Sequence, residues 1–264
     1  MKTGFIGLGN MASAMIGGML KNGLVDASEL IGSAKTESTR QRVQERFGIR
    51  TAESNAETAE WAELVVLAVK PQFFGEVIGQ IRQLDWKGKT VISLAPGKTI
   101  EWIQEKFGFP VPVIRCMPNT PALVGEGCTG MCRSAQVTKE AAVAADRILN
   151  SFGKSVEVPE RLMDVVVGVS GSSPAYVFLF IEAMADAAVA EGMPRAQAYE
   201  MAAQAVLGSA KMVLETGKHP GDLKDMVCSP GGTTIQAVKV LEEKNFRGTV
   251  MDAVAACVEK SRNM

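Results

Sequence analysis

Gly7-Leu8-Gly9-Asn10-Met11-Ala12 is a G-x-G-x-x-A hexamer set between a short apolar run and a helical pattern. That pattern suits the pyrophosphate of a dinucleotide. The first glycine permits a tight turn, the second lets phosphates approach the backbone, and small Ala12 lets the helix pack close to the strand. Unpaired N–H groups at the helix start would then face the anion. About 20 residues further on, an acidic side chain commonly holds a ribose 2′-hydroxyl. Here the second apolar run ends in Ile31-Gly32-Ser33-Ala34-Lys35, without a carboxylate. Ser33 and Lys35, with Arg40 a helical turn later, suit a 2′-phosphate through charge-assisted hydrogen bonds. NADPH is therefore the expected cofactor, with NADH as a second donor. The alternative is that Lys35 and Arg40 are ordinary solvated charges.

Two further segments stand where apolar strands run out, the place at which open α/β sheets bind ligands. Ala68-Val69-Lys70-Pro71 follows the run ELVVLAV, and Met117-Pro118-Asn119-Thr120-Pro121 follows VIRC. In the second, two prolines fix the course of the chain and leave Asn119 and Thr120 as presented hydrogen-bonding groups. Either loop is also readable as a plain turn. Near the C-terminus, Ser229-Pro230-Gly231-Gly232-Thr233-Thr234 opens a helical run. Its backbone N–H groups could bind a carboxylate without any Arg or Lys. An ordinary N-cap by Thr233 or Thr234 explains the same residues equally well. The small-residue segment 168–176 lets a helix approach a cofactor or another backbone closely, and packing explains it nearly as well.

The remaining chemistry is sparse. His219 is the one histidine and sits in a Lys-His-Pro-Gly turn, so no Ser/His/Asp or Cys/His constellation forms around it. Cys128 and Cys132 with that histidine make no zinc site, and no metal is expected. Five cysteines are an odd number without a pairing framework, which reads as free thiols in the cytoplasm. Hydride chemistry in such a chain needs a substrate that asks little acid–base help. An imine qualifies, whereas a ketone or alcohol would require a positioned acid or base.

Positioning these residues takes two kinds of architecture. Over residues 1–159, strands are expected at 3–8, 30–33, 63–69, 90–95 and 113–116, with weaker candidates at 127–133 and 155–158. Helical patterns cover 10–21, 37–47 and 138–152, so the reading is an α/β domain with a mostly parallel sheet. Over residues 160–264 no strand is convincing, and helices are expected at about 164–191, 195–216, 232–245 and 248–262. Their wide apolar faces call for burial against a partner, at least a dimer. A net charge of −1 provides no basic field for nucleic acid. The most apolar stretch, 165–190, is broken by glycines, a proline and acids, which argues against a membrane span.

At these segments the chain resembles the pyrroline-5-carboxylate reductases. The residues that carry the likeness are GFIGLGNM (4–11), AVKP (68–71), MPNTPALV (117–124), VSGSSPAYVFLFIEAMADAA (169–188), GSAKMVLETGKHPGDLKDMVCSPGGTTI (208–235) and AVKVLEE (237–243). The resemblance implies a Rossmann-type domain followed by an all-α dimerisation domain, with the active site where two subunits meet. It implies NADPH-dependent reduction of Δ1-pyrroline-5-carboxylate to proline. It also implies cofactor contacts at Ile6, Gly7, Leu8, Gly9, Asn10, Met11, Asn55, Ala68, Val69, Lys70 and Pro71. Ser229–Thr234 would be the substrate loop, its N–H groups on the carboxylate and Thr234 on the ring nitrogen. Relatives often carry Ser or Thr for the 2′-phosphate where this chain has Ala34. Two other classes stay in view: another NADP-dependent imine or β-hydroxyacid oxidoreductase, and a non-catalytic nucleotide-binding protein. The hydroxyacid enzymes need a lysine in the first helix of the helical domain, and none occurs between Val169 and Glu191.

Overall fold

A computed structural model describes residues 1–263. Eight strands make one sheet in the order β3-β2-β1-β4-β5-β6-β7-β8. They are β1 (Thr3–Ile6), β2 (Leu30–Ser33), β3 (Arg50–Ala52), β4 (Leu64–Leu67), β5 (Thr90–Ser93), β6 (Val113–Met117), β7 (Gly127–Arg133) and β8 (Gly153–Glu157). All neighbours pair in parallel except β6 with β7, so the last two strands run against the other six. β1 and β4 are buried at every residue because helices cover both faces, which is why β4 is continuously apolar and β1 carries only Thr3 as a polar residue.

Side chains alternate across the sheet. Phe5 and Val66 enter one core, with Ala12, Met15, Ile16 and Met19 of α1 (Asn10–Lys21), Val43 of α2 (Glu37–Phe47) and several residues after β7. Ile6, Val65 and Leu67 enter the other, with residues of α3 (Asn55–Trp61), α4 (Phe74–Ile81) and α5 (Ile100–Phe107). α6 (Lys139–Asn150) closes the first layer, and the short α7 (Met163–Val166) follows β8. A wide π-type turn, Val167–Gly171, comes next.

Buried Arg115 of β6 donates to Glu160 Oε1 at 3.1 Å, and the same oxygen accepts from the N–H of Ile100 at 2.8 Å. One carboxylate thus neutralises an interior guanidinium and satisfies an orphan donor at the start of α5. Elsewhere in this layer Thr129 of β7 is fully buried, and its hydroxyl has no hydrogen-bond partner. Thr129→Val keeps the shape and removes that desolvated hydroxyl. It is expected to raise stability by about 1 kcal/mol in chemical denaturation. A loss of stability would show that the hydroxyl is bonded in solution.

By internal contacts the chain forms two compact units: Met1–Ser172 with the chain from Cys257 onward, and Ser173–Ala256. The change of sequence pattern at Pro159 marks the end of the strands, while the contact boundary falls after the π-type turn. The second unit is wholly helical, built from α8 (Ser173–Ala190), α9 (Arg195–Thr216), α10 (Pro220–Val227), α11 (Thr233–Glu243) and most of α12 (Phe246–Arg262). In α8 and α9 the only buried residues are alanines 185, 198 and 202, while Phe178, Leu179, Met201 and Leu214 lie open. The apolar run 160–190 is long and apolar enough to cross a bilayer by length and composition, and only 6% of its most apolar window is buried. So much uncovered apolar surface on one chain marks an interaction face.

Candidate active site

β1 is flanked by β2 on one side and β4 on the other, so the chain leaves its carboxyl end in one direction and returns from the opposite one. That reversal opens a crevice at the strand ends. Gly7 stands at its apex. Its N–H donates to the carbonyl of Ser33 at 2.9 Å, and the N–H of Ala68 donates to the carbonyl of Ile6 at 2.8 Å. Gly7 has φ +96°, and a Cβ built there would lie 2.8 Å from both the Ala68 carbonyl oxygen and Val69 Cγ1. Only glycine fits that backbone and that space. Gly9 is the N-cap of α1, no side chain caps the helix, and a Cβ on Gly9 meets nothing within 4 Å. The helix start is therefore open to an anion, and the cradle fits a dinucleotide's pyrophosphate.

Beside this apex lies a cavity of about 500 Å³ lined by Gly7, Ser33, Lys35, Asn55 and Val69 of the anticipated cofactor residues. Ile6 and Leu8 have buried side chains and can offer only backbone, whereas Gly9 and Asn10 are exposed at the helix start. Ala68 and Pro71 are half-buried and Lys70 exposed along the following loop. The cavity is also lined by Ala34, Glu53, Ser54, Phe73, Glu76, Val77 and Gln80. Most of these were not anticipated. The run Ser54-Asn55-Ala56-Glu57 has capping-box spacing, and the Ser54 hydroxyl does accept from the Glu57 N–H at 3.1 Å. Read as a helix start, it would have placed Asn55 at the cavity from sequence alone. Arg40 does not reach out into water: its Nη1 donates to the Ala34 carbonyl at 2.7 Å, which holds a positive charge at the end of β2.

Asn119 requires a correction. Its side chain is buried and not presented: Nδ2 donates to the Ser170 carbonyl at 2.9 Å, and Oδ1 accepts from the Cys128 N–H at 2.8 Å. With both ends of its amide hydrogen-bonded inside the protein, Asn119 holds the loop and the π-type turn in place. Two buried thiols of the sheet, Cys116 on β6 and Cys132 on β7, are inert as well. Burial pushes the Cys116 thiol far up, and burial with the nearby Glu160 carboxylate pushes Cys132 up to about 11. Neither is a thiolate at neutral pH.

In the helical unit, Ser229–Thr234 joins α10 to α11. Gly231 has φ +70°, and the Gly232 N–H donates to the Ser229 carbonyl at 3.0 Å, which closes the turn. The N-cap of α11 is Gly232, and no side chain caps it. The alternative of a threonine N-cap is thereby set aside: Thr233 and Thr234 are the first two helical residues. Their N–H groups project from the helix start, beside the half-buried side chain of Thr234. His219 has a structural task, since its Nδ1 caps α10 by accepting from the Gly221 N–H at 3.1 Å. Among the described residues no three His, Cys, Asp or Glu side chains gather as metal ligands.

A doubly wound sheet with an open dinucleotide turn, followed by a helical region rich in exposed apolar residues, defines a nucleotide-dependent oxidoreductase of the two-part kind. Residues 160–264 match the family profile for pyrroline-5-carboxylate reductase dimerisation, and residues 2–97 match that of coenzyme F420-dependent NADP oxidoreductases. The chain is 50% identical over 263 residues to the pyrroline-5-carboxylate reductase of Escherichia coli strain K12, covering 100% of this chain and 98% of that one. Among solved structures, a pyrroline-5-carboxylate reductase from Coxiella burnetii superposes with TM-score 0.93 at 35% identity, covering 99% and 97% of the two chains. The Plasmodium falciparum pyrroline carboxylate reductase, solved with NADP bound, gives 0.88 at 35% identity over 99% and 97%. The chain belongs to the pyrroline-5-carboxylate reductase family.

Proposed function

We infer that this chain catalyses the NADPH-dependent reduction of Δ1-pyrroline-5-carboxylate to L-proline. The observation that carries the reading furthest is the uncapped start of α11 at Gly232-Thr233-Thr234, whose N–H groups would suit a carboxylate. When bound, the reduced nicotinamide supplies a hydride to the imine carbon. The chain's own residues bind and orient. Gly7 and Gly9 keep the crevice and the α1 start clear for phosphates, with Ile6, Leu8, Asn10, Met11 and Ala68–Pro71 contributing backbone and walls. Ser33, Lys35 and Asn55 border the adenosine side. Ser229–Thr234 grips the substrate carboxylate, and Thr234 hydrogen-bonds the ring nitrogen. An iminium carbon is already electrophilic, so the rate rests on positioning.

Two functional parts follow: residues 1–159 for the dinucleotide, and 160–264 for substrate and self-association. The exposed apolar residues of α8 to α12 support a dimer or larger assembly rather than a membrane partner. The five free thiols accord with a reducing compartment, and we place the enzyme in the cytoplasm.

The deciding experiment incubates purified protein with pyrroline-5-carboxylate and NADPH or NADH, and identifies proline as product. Cofactor oxidation without proline, or no oxidation at all, would overturn the reading. Sedimentation should show a dimer or larger, and a stable micromolar monomer would sink the assembly. Lys35→Glu should raise the KM for NADPH by about tenfold and leave that for NADH nearly unchanged. Equal weakening of both would mean that Lys35 does not meet the 2′-phosphate.

A further inference from the structure

Along the cavity wall, three hydrogen bonds run in series between four residues from three elements, β2, α3 and α4. Ser33 Oγ lies 2.7 Å from Asn55 Oδ1, Asn55 Nδ2 lies 2.6 Å from Gln80 Oε1, and Gln80 Nε2 lies 3.5 Å from Glu76 Oε1. All four side chains line the cavity. The direction of the series is fixed at one end. An ionised carboxylate only accepts, so Glu76 draws the amide N–H of Gln80 toward itself. The Gln80 oxygen must then face Asn55, the Asn55 amide nitrogen must face Gln80, and the Asn55 oxygen is left facing Ser33. A carbonyl oxygen only accepts, so Ser33 donates its one proton to Asn55.

The consequence falls on the cofactor. Ser33 is 1% exposed, at the carboxyl end of β2, where the sequence reading placed the 2′-position of the adenosine ribose. With its proton committed, its oxygen can accept a hydrogen bond but cannot give one. A ribose 2′-hydroxyl can supply a donor, whereas a 2′-phosphate offers acceptors almost exclusively. We propose that Gln80, oriented by Glu76, is a specificity-determining residue that tempers the NADPH preference by turning the Ser33 hydroxyl away from the 2′-phosphate. The proposal rests on the reductase reading above. It treats Lys35 and Arg40 as the phosphate-favouring side of a balance whose other side is this series. Gln80 acts through Asn55 and is a positioning residue.

The test measures dissociation constants for NADPH and NADH by fluorescence titration, with no substrate present, on the full-length protein and two variants. Gln80 and Glu76 are both exposed on α4, and a matched thermal midpoint verifies that the fold is kept. Gln80→Leu removes the series without altering charge, freeing the Asn55 amide to turn and Ser33 to donate. The NADPH-over-NADH affinity ratio should rise about three- to tenfold. Glu76→Gln should raise it as well, because an amide at that end no longer dictates direction. If the ratio moves in Glu76→Gln alone, carboxylate charge explains it and the series does not. An unchanged or lower ratio in Gln80→Leu overturns the proposal. Failure of the unaltered protein to bind either cofactor would instead bring down the reductase reading, and the proposal with it.

Discussion

Gly7→Ala is expected to lose cofactor binding and much of the domain's stability together, whereas Gly9→Ala should lose only the first. At Gly7 the backbone sits at φ +96°, and the added methyl would press to 2.8 Å on the carbonyl oxygen of Ala68. That oxygen belongs to backbone leaving β4, whose neighbouring N–H is anchored to β1 by the bond from Ala68 to Ile6. Neither side can yield without disturbing the paired strand ends. Backbone strain and the clash together should cost about 2–5 kcal/mol. At Gly9, φ is −79° and a methyl meets no protein atom within 4 Å, so stability should hardly change. The methyl would nonetheless stand at the open N-terminus of α1, where phosphates approach. Cofactor affinity should fall by about tenfold or more, roughly the loss of one charge-assisted contact. The check is a thermal midpoint and an NADPH titration on each variant. A Gly9→Ala protein with unaltered affinity would mean that no phosphate passes over that helix start.

What made the central sheet legible was burial on both faces: Leu64–Leu67 and Thr90–Ser93 read as strands because no polar alternation interrupts them. The edge escaped. Arg50–Ala52 is three residues long, begins with an exposed arginine and has one buried side chain, so it carries neither an apolar run nor an alternation. The helices α3, α4 and α5 were passed over because each is eight residues or fewer, shorter than the windows in which a helical period stands out. The starts of α3 and α5 are marked nonetheless by Ser54 and Thr99, both of which cap as their type predicts, while α4 has no capping side chain. α10 is not legible as a helix, since Pro220 and Gly221 at its start look like punctuation. In place, the proline occupies the first helical position, where its missing N–H does no harm. The cavity divides in the same way. Residues on the strand-end turns were found, while Glu76, Val77 and Gln80 were not, because a short helix brings them there from another crossover. Asn119 shows the opposite failure. A polar residue held between prolines looked presented, yet its amide serves backbone groups nine and fifty-one residues away, which local sequence does not reveal.

Thr234→Ala is expected to lower kcat by about one to two powers of ten, and to alter the dissociation constant of NADPH little. The expectation comes from where α11 starts. With Gly232 as N-cap, the Thr234 hydroxyl is not needed to close its own helix and is free for a ligand. Removing it should therefore leave the helix intact, unlike the loss of a capping side chain, which costs about 1 kcal/mol of stability. Thr234→Ser keeps the hydroxyl and should restore most of the rate, while Thr234→Val keeps the shape and should not. The carboxylate contacts come from backbone N–H groups that all three variants retain. KM for the imine should then move less than kcat, as expected for a hydroxyl that donates to the ring nitrogen as the arriving hydride builds electron density there. If alanine and serine variants fell equally, the side chain would be acting through packing, and the substrate nitrogen would have another partner. If neither fell, the start of α11 would hold the carboxylate and do nothing more.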